Sequence, residues 1–392
     1  MMKPLRRCVS VLLCALATCL MTAQAQAQPQ SPAAAAADSP GVTDTEILLG
    51  QSCQLSGPLE GITREVRQGA SLYFDHINAK GGVRGRKIRV LALDDGYDPK
   101  KAEANTRHFI DEAKVLALFQ YAGTPPALAG MALAEQTGVP LIAAFTGSED
   151  LRKPELRYTF NIKAGYATEL HAMLKHQTTM GIKRVAVVYL NNPFGTGGLA
   201  TVQASARQLG VQLVATAPLE VNGAKMLHAV NAVAEANPQA IIVISAGKPS
   251  VDFIAAYQGA GHHTTFYVLS VISNVQLNQG LGARARGVVV SQVVPSPWNA
   301  SVPLSREFQR LARAQGIEEF TFSQMEGFLS AKFLVEALER AGPKPTRASL
   351  VQALEGMRVN LGGYPVELSP TQHSSGKFVD LLMLGKDGKF AR

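Results

Sequence analysis

The chain has 392 residues, of which 46% are hydrophobic and 17% charged, and its formal net charge is +8 at pH 7. The positive surplus is spread along the chain, without a run of five or six basic residues and without a basic segment rich in aromatic side chains. These features exclude a nucleic-acid-binding platform and indicate an ordinary solvated basic surface.

The N-terminus has the pattern of an export signal. Three basic residues among the first seven precede an apolar run from Val9 to Met21, and small residues follow that run. The run has about 13 residues, fewer than the roughly 20 that a membrane-spanning helix needs. We therefore predict a cleaved secretory signal peptide over residues 1–27.

The cysteines leave one alternative to simple cleavage. Cys19 follows a lipobox-like stretch, but Thr18 stands where such signals prefer Gly, Ala or Ser, so lipidation at Cys19 is less favoured. Removing the signal leaves only Cys53 of the four cysteines, which rules out an intrachain disulfide. We predict a buried apolar thiol at Cys53 rather than a reactive nucleophile.

Residues 28–42, rich in Pro, Ala, Ser and Gln, are predicted to form a disordered tether. From about Thr43 the chain is too long for one typical core, and strand-like runs alternate with helical stretches. This alternation predicts an α/β fold with parallel sheets and right-handed crossovers. The pattern restarts after Asn161, so we place a domain boundary there. The predicted strands are Ile47–Gly50, Ile88–Leu93, Val115–Phe119, Leu141–Ala144, Val185–Tyr189, Gln212–Ala217, Ala240–Ser245 and Gly287–Gln292.

The stretch from Gln54 to Pro99 indicates where a ligand binds. A Ser-Gly-Pro turn at 56–58 precedes a helix, and a glycine-rich break then leads into a short buried strand that ends at Asp94-Asp95-Gly96. In open parallel sheets, ligands bind in the crevice beyond the carboxyl ends of the strands. We therefore predict a small-molecule site at these loops.

Seven ordered phrases resemble the type I periplasmic binding proteins, specifically the branched-chain amino acid (Leu/Ile/Val) type that serves ABC importers. The phrases are LSGP at 55–58, INAKGGVRGRKI at 77–88, DDGYDP at 94–99, GTPPA at 123–127, VPLIAAFTG at 139–147, RVAVVYLNNPFG at 184–195 and ARGVVVSQVVP at 285–295. The resemblance covers nearly everything from about Thr43 to the end of the chain.

The resemblance implies two Rossmann-like lobes with parallel central sheets, joined by three hinge crossings as in a Venus flytrap. Lobe 1 would comprise residues 43–161 and 295–345, and lobe 2 residues 162–294 and 346–392. Such a periplasmic clamp, expected to be a monomer, closes on its ligand and delivers it to the permease of an ABC importer. The alternative is a sensor in which the same clamp reports ligand to a separate membrane receptor.

The candidate ligand-binding residues of lobe 1 follow its strands. In the resembled family, the loop matching Gly123-Thr124 binds the ligand carboxylate, although Thr124 is equally suited to cap a helix. The loop of Ala144, Phe145 and Thr146 completes that carboxylate site, with Thr146 as the strongest candidate. The other candidates, which turn or packing chemistry also explains, are Leu55, Ser56, Glu60 and Tyr97.

In lobe 2, the resemblance points to Asn192 and to Phe194, an aromatic lid over the ligand, and to two further strand ends at Lys248 and Ser270. One departure stands out. Amino-acid-binding relatives use an acidic residue near Ser270 to hold the α-ammonium, whereas residues 269–273 read LSVIS. Because a buried ammonium without a carboxylate partner costs several kcal/mol, this predicts a carboxylate ligand that need not carry an amine.

No motif indicates an enzyme, a metal site or a cofactor. Residues 245–250 lack the first glycine of a phosphate loop, and a Gly-x-Ser-x-Gly nucleophile elbow is absent. The Asp94, Asp95 and Asp98 cluster lacks the spacing of an EF-hand. We therefore predict a non-enzymatic binding protein without a cofactor, whose ligand is a branched-chain amino acid or another small carboxylate.

Overall fold

The computed structural model describes residues 39–385 and 389–391. The predicted signal peptide and Cys19 lie outside the described residues. The end of the predicted tether, however, makes defined contacts. The Ser39 hydroxyl donates a hydrogen bond of 2.6 Å to the Pro345 carbonyl, and Val42 pairs with Ile47 in an isolated bridge. Predicted disorder therefore does not extend through residues 39–42.

The first half of the chain forms a five-stranded sheet with the order β2-β1-β3-β4-β5, in which every neighbouring pair is parallel. Its strands are β1 (Glu46–Cys53), β2 (Lys87–Asp94), β3 (Ala117–Phe119), β4 (Leu141–Ile142) and β5 (Thr159–Phe160). The helices between them are α1 (Glu60–Ala79), α2 (Pro99–Arg107) and α3 (Thr124–Thr137). Parallel strands need such crossover helices, as the alternation predicted.

The next stretch builds a second sheet from five parallel strands. They are β6 (Arg184–Leu190), β7 (Gln212–Leu219), β8 (Ala240–Ile244), β9 (Thr265–Val268) and β10 (Val289–Gln292). Their helices are α4 (Tyr166–Thr179), α5 (Pro193–Leu209), α6 (Met226–Glu235), α7 (Gly247–Gly259) and α8 (Asn274–Leu281). Strand β8 is fully buried, which explains its unbroken apolar sequence AIIVI.

The chain then returns to the first lobe. It forms α9 (Pro303–Ala314), α10 (Phe322–Arg340), α11 (Arg347–Glu355) and the hairpin of β11 (Arg358–Asn360) and β12 (Pro365–Glu367). Helix α10 lies against α1 at very close range, because a Cβ atom at Gly69 would stand 1.8 Å from the Gln324 carbonyl oxygen and one at Gly327 1.9 Å from that of Val66. The two glycines permit this contact between backbones.

The final return to lobe 2 comes later than the predicted residue 346. Leu350 and Leu354 of α11 and Val366 of β12 belong to the same buried core as α10 and β1. Only β13 (Asp380–Leu384) and β14 (Phe390–Ala391) join the second sheet, both antiparallel, to give the order β14-β13-β10-β9-β8-β6-β7. The predicted boundary is thus corrected, because the apolar face of α11 is buried against lobe 1.

The two sheets and the three crossings of the chain between them confirm the predicted two-lobe α/β fold. Within the described residues, no helix combines the length and apolarity that a membrane span requires.

Candidate functional site

A small cavity lies between the two lobes, where the N-terminal ends of α1, α3, α4, α5 and α7 meet. Its lining residues are Gln54, Leu59, Ile62, Thr63, Tyr97, Gly123, Thr124 and Phe145 of lobe 1, and Tyr166, Phe194, Ala246 and Val271 of lobe 2. The cavity volume is about 20 Å³, which holds about one water molecule. The lobes are therefore closed on one another, and an organic ligand needs them to move apart.

A chain of three hydroxyl groups lies at one side of this cavity. The Thr124 and Thr146 hydroxyls are 2.7 Å apart, and that of Thr146 donates a longer, 3.4 Å hydrogen bond to the hydroxyl of Tyr166. Burial raises the pKa of Tyr166 above its ordinary value, so its hydroxyl remains a neutral donor. Each hydroxyl has one proton and can rotate, so Thr124 of lobe 1 and Tyr166 of lobe 2, which line the cavity, can turn their O–H groups toward an anion there.

The same hydroxyls lie at the start of α3. Gly123 precedes this helix, and Pro125 and Pro126 carry no backbone N–H, so Thr124 supplies the first N–H group of the helix. The positive end of a helix dipole favours an anion at this position. Hydroxyl donors and a helix N-terminus together suit a carboxylate.

Tyr97 follows β2, the edge strand opposite β5 and the first crossing, and lines that side of the cavity, which we call the mouth of the cleft. Its backbone is left-handed, with φ +70°, and its ring lies against Gly123, where a Cβ atom would stand 2.3 Å from ring atom Cε2. A side chain at residue 123 would therefore displace the ring. Burial raises the pKa of Tyr97, although a hydrogen bond to the Asn192 side chain opposes that rise. Tyr97 of lobe 1 and Asn192 of lobe 2 therefore face one another across the mouth of the cleft.

The carboxylate of Asp95 is committed to lobe 1 itself. It accepts hydrogen bonds of 2.8 Å each from the Ser52 hydroxyl, the Gln54 amide and the Tyr97 backbone N–H. Burial raises the pKa of Asp95 despite these bonds. The Gln54 side chain also accepts a 3.0 Å bond from the Thr63 hydroxyl. Asp95 therefore orients the cavity wall and is not among the residues that line it.

Ser270 leads to an acid that the sequence analysis missed. The Ser270 backbone N–H and hydroxyl donate bonds of 3.0 Å and 3.1 Å to Glu169 of α4, and the Ser291 hydroxyl donates a third of 2.5 Å. Both oxygens of this fully buried carboxylate thus have donors from the protein. Among the described lining residues, none carries a carboxylate or a basic group.

Five of the predicted site residues line the cavity: Tyr97, Gly123, Thr124, Phe145 and Phe194. Thr146 is fully buried directly behind Thr124, and Asn192 lies at the mouth beside Tyr97. The structure also brings the Tyr166 and Phe194 rings together, with their centroids 4.9 Å apart. The structure therefore brings together the loops after β2, β3, β4 and β6.

Other predicted residues do not border the cavity. The Leu55 backbone N–H and the Ser56 hydroxyl both donate to Asp94, at 2.8 Å and 2.7 Å, which is the turn chemistry considered for them. Glu60 pairs with Arg64 one helical turn away.

Ala144 packs into the core of lobe 1. Lys248 is exposed and pairs with Asp252 at 2.6 Å, so its ammonium group does not point into the cleft. Ser270 is buried but is absent from the lining.

Apart from Tyr166, the lining residues missed by sequence reasoning lie one to three positions from those predicted. Leu59 and Ile62 flank the predicted Glu60, and Ala246 and Val271 neighbour Lys248 and Ser270. Apolar residues in the loops after the strands, and at the starts of the helices that follow, were an available signal. No such signal marked Tyr166, the first residue of α4, apart from its position after the first crossing.

The acidic loop after β2 serves local structure. Asp94 accepts bonds from the loop at residues 55–56, and Asp98 caps α2 by accepting from the Lys100 N–H at 2.8 Å. Across residues 39–385 and 389–391, no cluster of three or more metal-binding side chains is arranged around a common point.

Comparisons with known proteins agree with this architecture. The family model described as periplasmic binding protein matches residues 46–388. A possible leucine/isoleucine/valine-binding protein from Rhodopirellula baltica SH 1 is similar in structure, with a TM-score of 0.83, 27% identity, and coverage of 91% of this chain and 98% of that one. A substrate-binding periplasmic protein from Ralstonia solanacearum gives a TM-score of 0.82 at 30% identity and covers 88% and 99% of the two chains.

A curated relative is similar over a shorter stretch. Leu/Ile/Val-binding protein homolog 7 of Brucella abortus (strain 2308) is 24% identical over 227 residues, which make up 55% of this chain and 56% of that protein. The chain therefore spans about half the length of the curated relatives that it matches. The resemblance seen in the seven sequence phrases is confirmed by these similarities.

Proposed function

Because the chain belongs to the periplasmic binding protein family, we propose that it captures a small carboxylate-bearing organic molecule between its lobes and delivers it to an ABC importer of the branched-chain amino acid type. The relatives named as Leu/Ile/Val-binding proteins support this type of importer. No covalent step is needed, so the protein acts as a binding protein and not as an enzyme. It acts in the periplasm, as a monomer, after removal of the predicted signal peptide.

The observation that carries this proposal is the set of donors at Thr124. The hydroxyl chain through Thr146 to Tyr166 provides O–H donors next to the positive end of α3, in a cavity whose other walls are mostly apolar. A carboxylate accepts such donors, and charge-assisted bonds of this kind are stronger than neutral ones.

The absence of a free acid among the described lining residues extends the proposal to the kind of carboxylate. Two acids that bond to residues in or beside the lining, Asp95 and Glu169, already accept three hydrogen bonds each from protein donors. An α-ammonium group buried here would have no carboxylate partner, which costs several kcal/mol. We therefore propose that the ligand has no amine.

A thermal-unfolding screen of the mature protein tests this function. The ligands are leucine, isoleucine and valine, their des-amino carboxylates, and the matching amides. A ligand that binds only the folded state raises the melting temperature by mass action. We expect a rise with the amine-free carboxylates and none with the amides. A rise confined to the three amino acids would contradict the amine-free ligand, and no rise with any carboxylate would contradict the proposed function.

Intrinsic fluorescence provides an independent measure of closure. Trp298 is the only tryptophan in the sequence and lies on the second crossing, where its ring centroid is 5.5 Å from that of Phe322 in α10. Because the side chain is 43% exposed, movement of the lobes changes its solvent contact. We expect saturating ligand to shift its emission, and an unchanged spectrum together with unchanged X-ray scattering would argue against a closing clamp.

A further inference from the structure

A second concave surface, here called the outer groove, lies beside the cavity at the mouth of the cleft. Its apolar lining residues are Pro99, Pro125, Leu128, Ala129, Pro193 and Val221, and its volume is about 460 Å³. Both lobes contribute, because Pro193 begins α5 and Val221 follows β7. The groove is thus far larger than the closed cavity and has the same apolar character.

Tyr97 separates the cavity from the outer groove, since it lines both. One face of its ring packs against Gly123, which has no side chain. Its hydroxyl faces Asn192, which also lines the groove. The wall between the two spaces is therefore one aromatic side chain, which meets Asn192 of lobe 2.

The strained backbone of Tyr97 suits a side chain that changes position. A left-handed φ of +70° is uncommon for a bulky residue and persists only where the surroundings hold it. Here the holding contacts include the Asp95 carboxylate, which accepts the Tyr97 N–H, and the Asn192 side chain. The contact with Asn192 is lost when the lobes separate, because the two residues belong to different lobes.

The closed cavity leaves no room for the hydrocarbon part of a ligand. A volume of about 20 Å³ holds one water molecule, whereas the groove on the other side of Tyr97 is open and apolar. A ligand whose carboxylate lies at Thr124 has its nearest free apolar surface in the outer groove.

We infer that the ligand is an amphiphilic monocarboxylate, with its carboxylate at Thr124 and Tyr166 and an apolar tail that passes Tyr97 into the outer groove. This inference rests on the proposed function and specifies its ligand class. The tail is longer than the side chain of a branched-chain amino acid, and Tyr97 turns aside to admit it.

The test is a series of straight-chain monocarboxylates from butanoate to decanoate, kept below their micelle concentrations and measured by calorimetry with the mature protein. Each methylene that enters the groove strengthens binding by roughly fourfold, given about 0.8 kcal/mol per buried methylene. We expect affinity to rise along the series until the groove is filled. A series in which butanoate binds as tightly as decanoate would overturn the tail inference and leave the proposed function in place.

A groove-filling variant locates the tail. Ala129→Phe places a ring in the outer groove, and Ala132→Phe on the exposed face of the same helix is its control. We expect Ala129→Phe to remove the gain from chain length while butanoate still binds, and Ala132→Phe to keep the gain. Val221→Asp, which puts a charge in the groove, replaces Ala129→Phe if that variant does not fold.

The remaining outcomes separate the two proposals. Persistence of the chain-length gain in both groove variants would show that the tail lies elsewhere and would overturn this inference alone. Failure of every carboxylate to bind the wild-type protein would overturn the proposed function, and this inference with it.

Discussion

The hinge side and the mouth side of the cleft are held together by different chemistry. Near the first crossing, Lys163 pairs with Glu326 of α10 at 3.0 Å, with only 4% and 7% of the two side chains exposed. At the mouth, the neutral side chains of Tyr97 and Asn192 meet beside an apolar groove. A buried ion pair is costly to separate, whereas a neutral bond at a partly open surface is not. The hinge side therefore has the interaction that is harder to separate, and the proposed opening would take place at the mouth.

The largest expected effect tests the hinge side. Glu326→Ala leaves the Lys163 ammonium buried without its partner, so we expect a loss of about 3–5 kcal/mol in the free energy of unfolding. The matched control, Glu336→Ala on the same helix, removes a half-exposed pair with Arg340 and should cost about 0.5 kcal/mol or less. Urea titration of both variants measures the difference. Equal losses would show that the buried pair does not set the hinge side apart.

The next effect concerns the hydroxyls in the cavity between these two sides. Thr124→Val removes the donor that lines the cavity and should weaken carboxylate binding by about 1.5–3 kcal/mol, the range for a hydrogen bond to a charged group. Thr146→Val removes a buried hydroxyl that supports Thr124 and should cost about 1 kcal/mol. Calorimetric titration with one des-amino carboxylate ranks the two variants. A greater loss in Thr146→Val would place the carboxylate on Thr146 instead.

A smaller effect is expected at the mouth. Tyr97→Phe keeps the ring and removes its hydrogen bond to Asn192, so the closed form should lose about 0.5–1.5 kcal/mol. We expect faster ligand release in stopped-flow experiments that follow Trp298 fluorescence, with little change in the melting temperature of the unliganded protein. The control is Tyr158→Phe, on the loop before β5, which should release ligand at the wild-type rate. If the Tyr97→Phe variant releases ligand at the wild-type rate, the interaction between Tyr97 and Asn192 does not hold the closed form together.

The smallest expected effect is a pH dependence of the folded state's stability, which arises at the contact between α1 and α8. The Ser273 hydroxyl of lobe 2 donates a 2.8 Å hydrogen bond to Glu65 of lobe 1, and burial raises the pKa of Glu65 despite this bond. A raised carboxyl pKa means that the protonated form is favoured in the closed, folded state. Its stabilising contribution is therefore present below the ordinary carboxyl pKa and is lost as pH rises through the raised value.

We expect Glu65→Gln to flatten the rise in melting temperature on acidification through this range, relative to the wild type. The control is Glu60→Gln in the same helix, whose partner Arg64 is exposed. If the melting temperature of the Glu65→Gln variant changes with pH as much as that of the wild type, the pH dependence comes from other groups.

Much of the fold was predictable because local pattern encodes it. Apolar runs such as Ala240–Ser245 have the length and composition of buried parallel strands, and the structure places β8 there. Strand β9 was missed because Thr265–Val268 is only four residues long and offers little pattern. The late return of the chain was also missed, because the sequence does not show that α11 packs on lobe 1.

The candidate site was predictable only to the level of loops. The loops after β2, β3, β4 and β6 were recognised, yet at the ends of β8 and β9 the cavity is lined by Ala246 and Val271 and not by Lys248 and Ser270. A shift of one or two residues after a strand decides which side chain faces the cleft. That shift depends on the local backbone path, which composition does not specify.

The sequence by itself determined that this protein has two α/β lobes and that its candidate site lies beyond the strand ends, because strand period, helix period and turn residues act over a few neighbouring positions. Only the tertiary structure decided what surrounds the site. Glu169 reaches Ser270 across 101 positions of sequence, and Tyr97 of one lobe meets Asn192 of the other. Such contacts follow from the packing of distant elements, and that packing fixes both the charge of the cavity and the wall at its mouth.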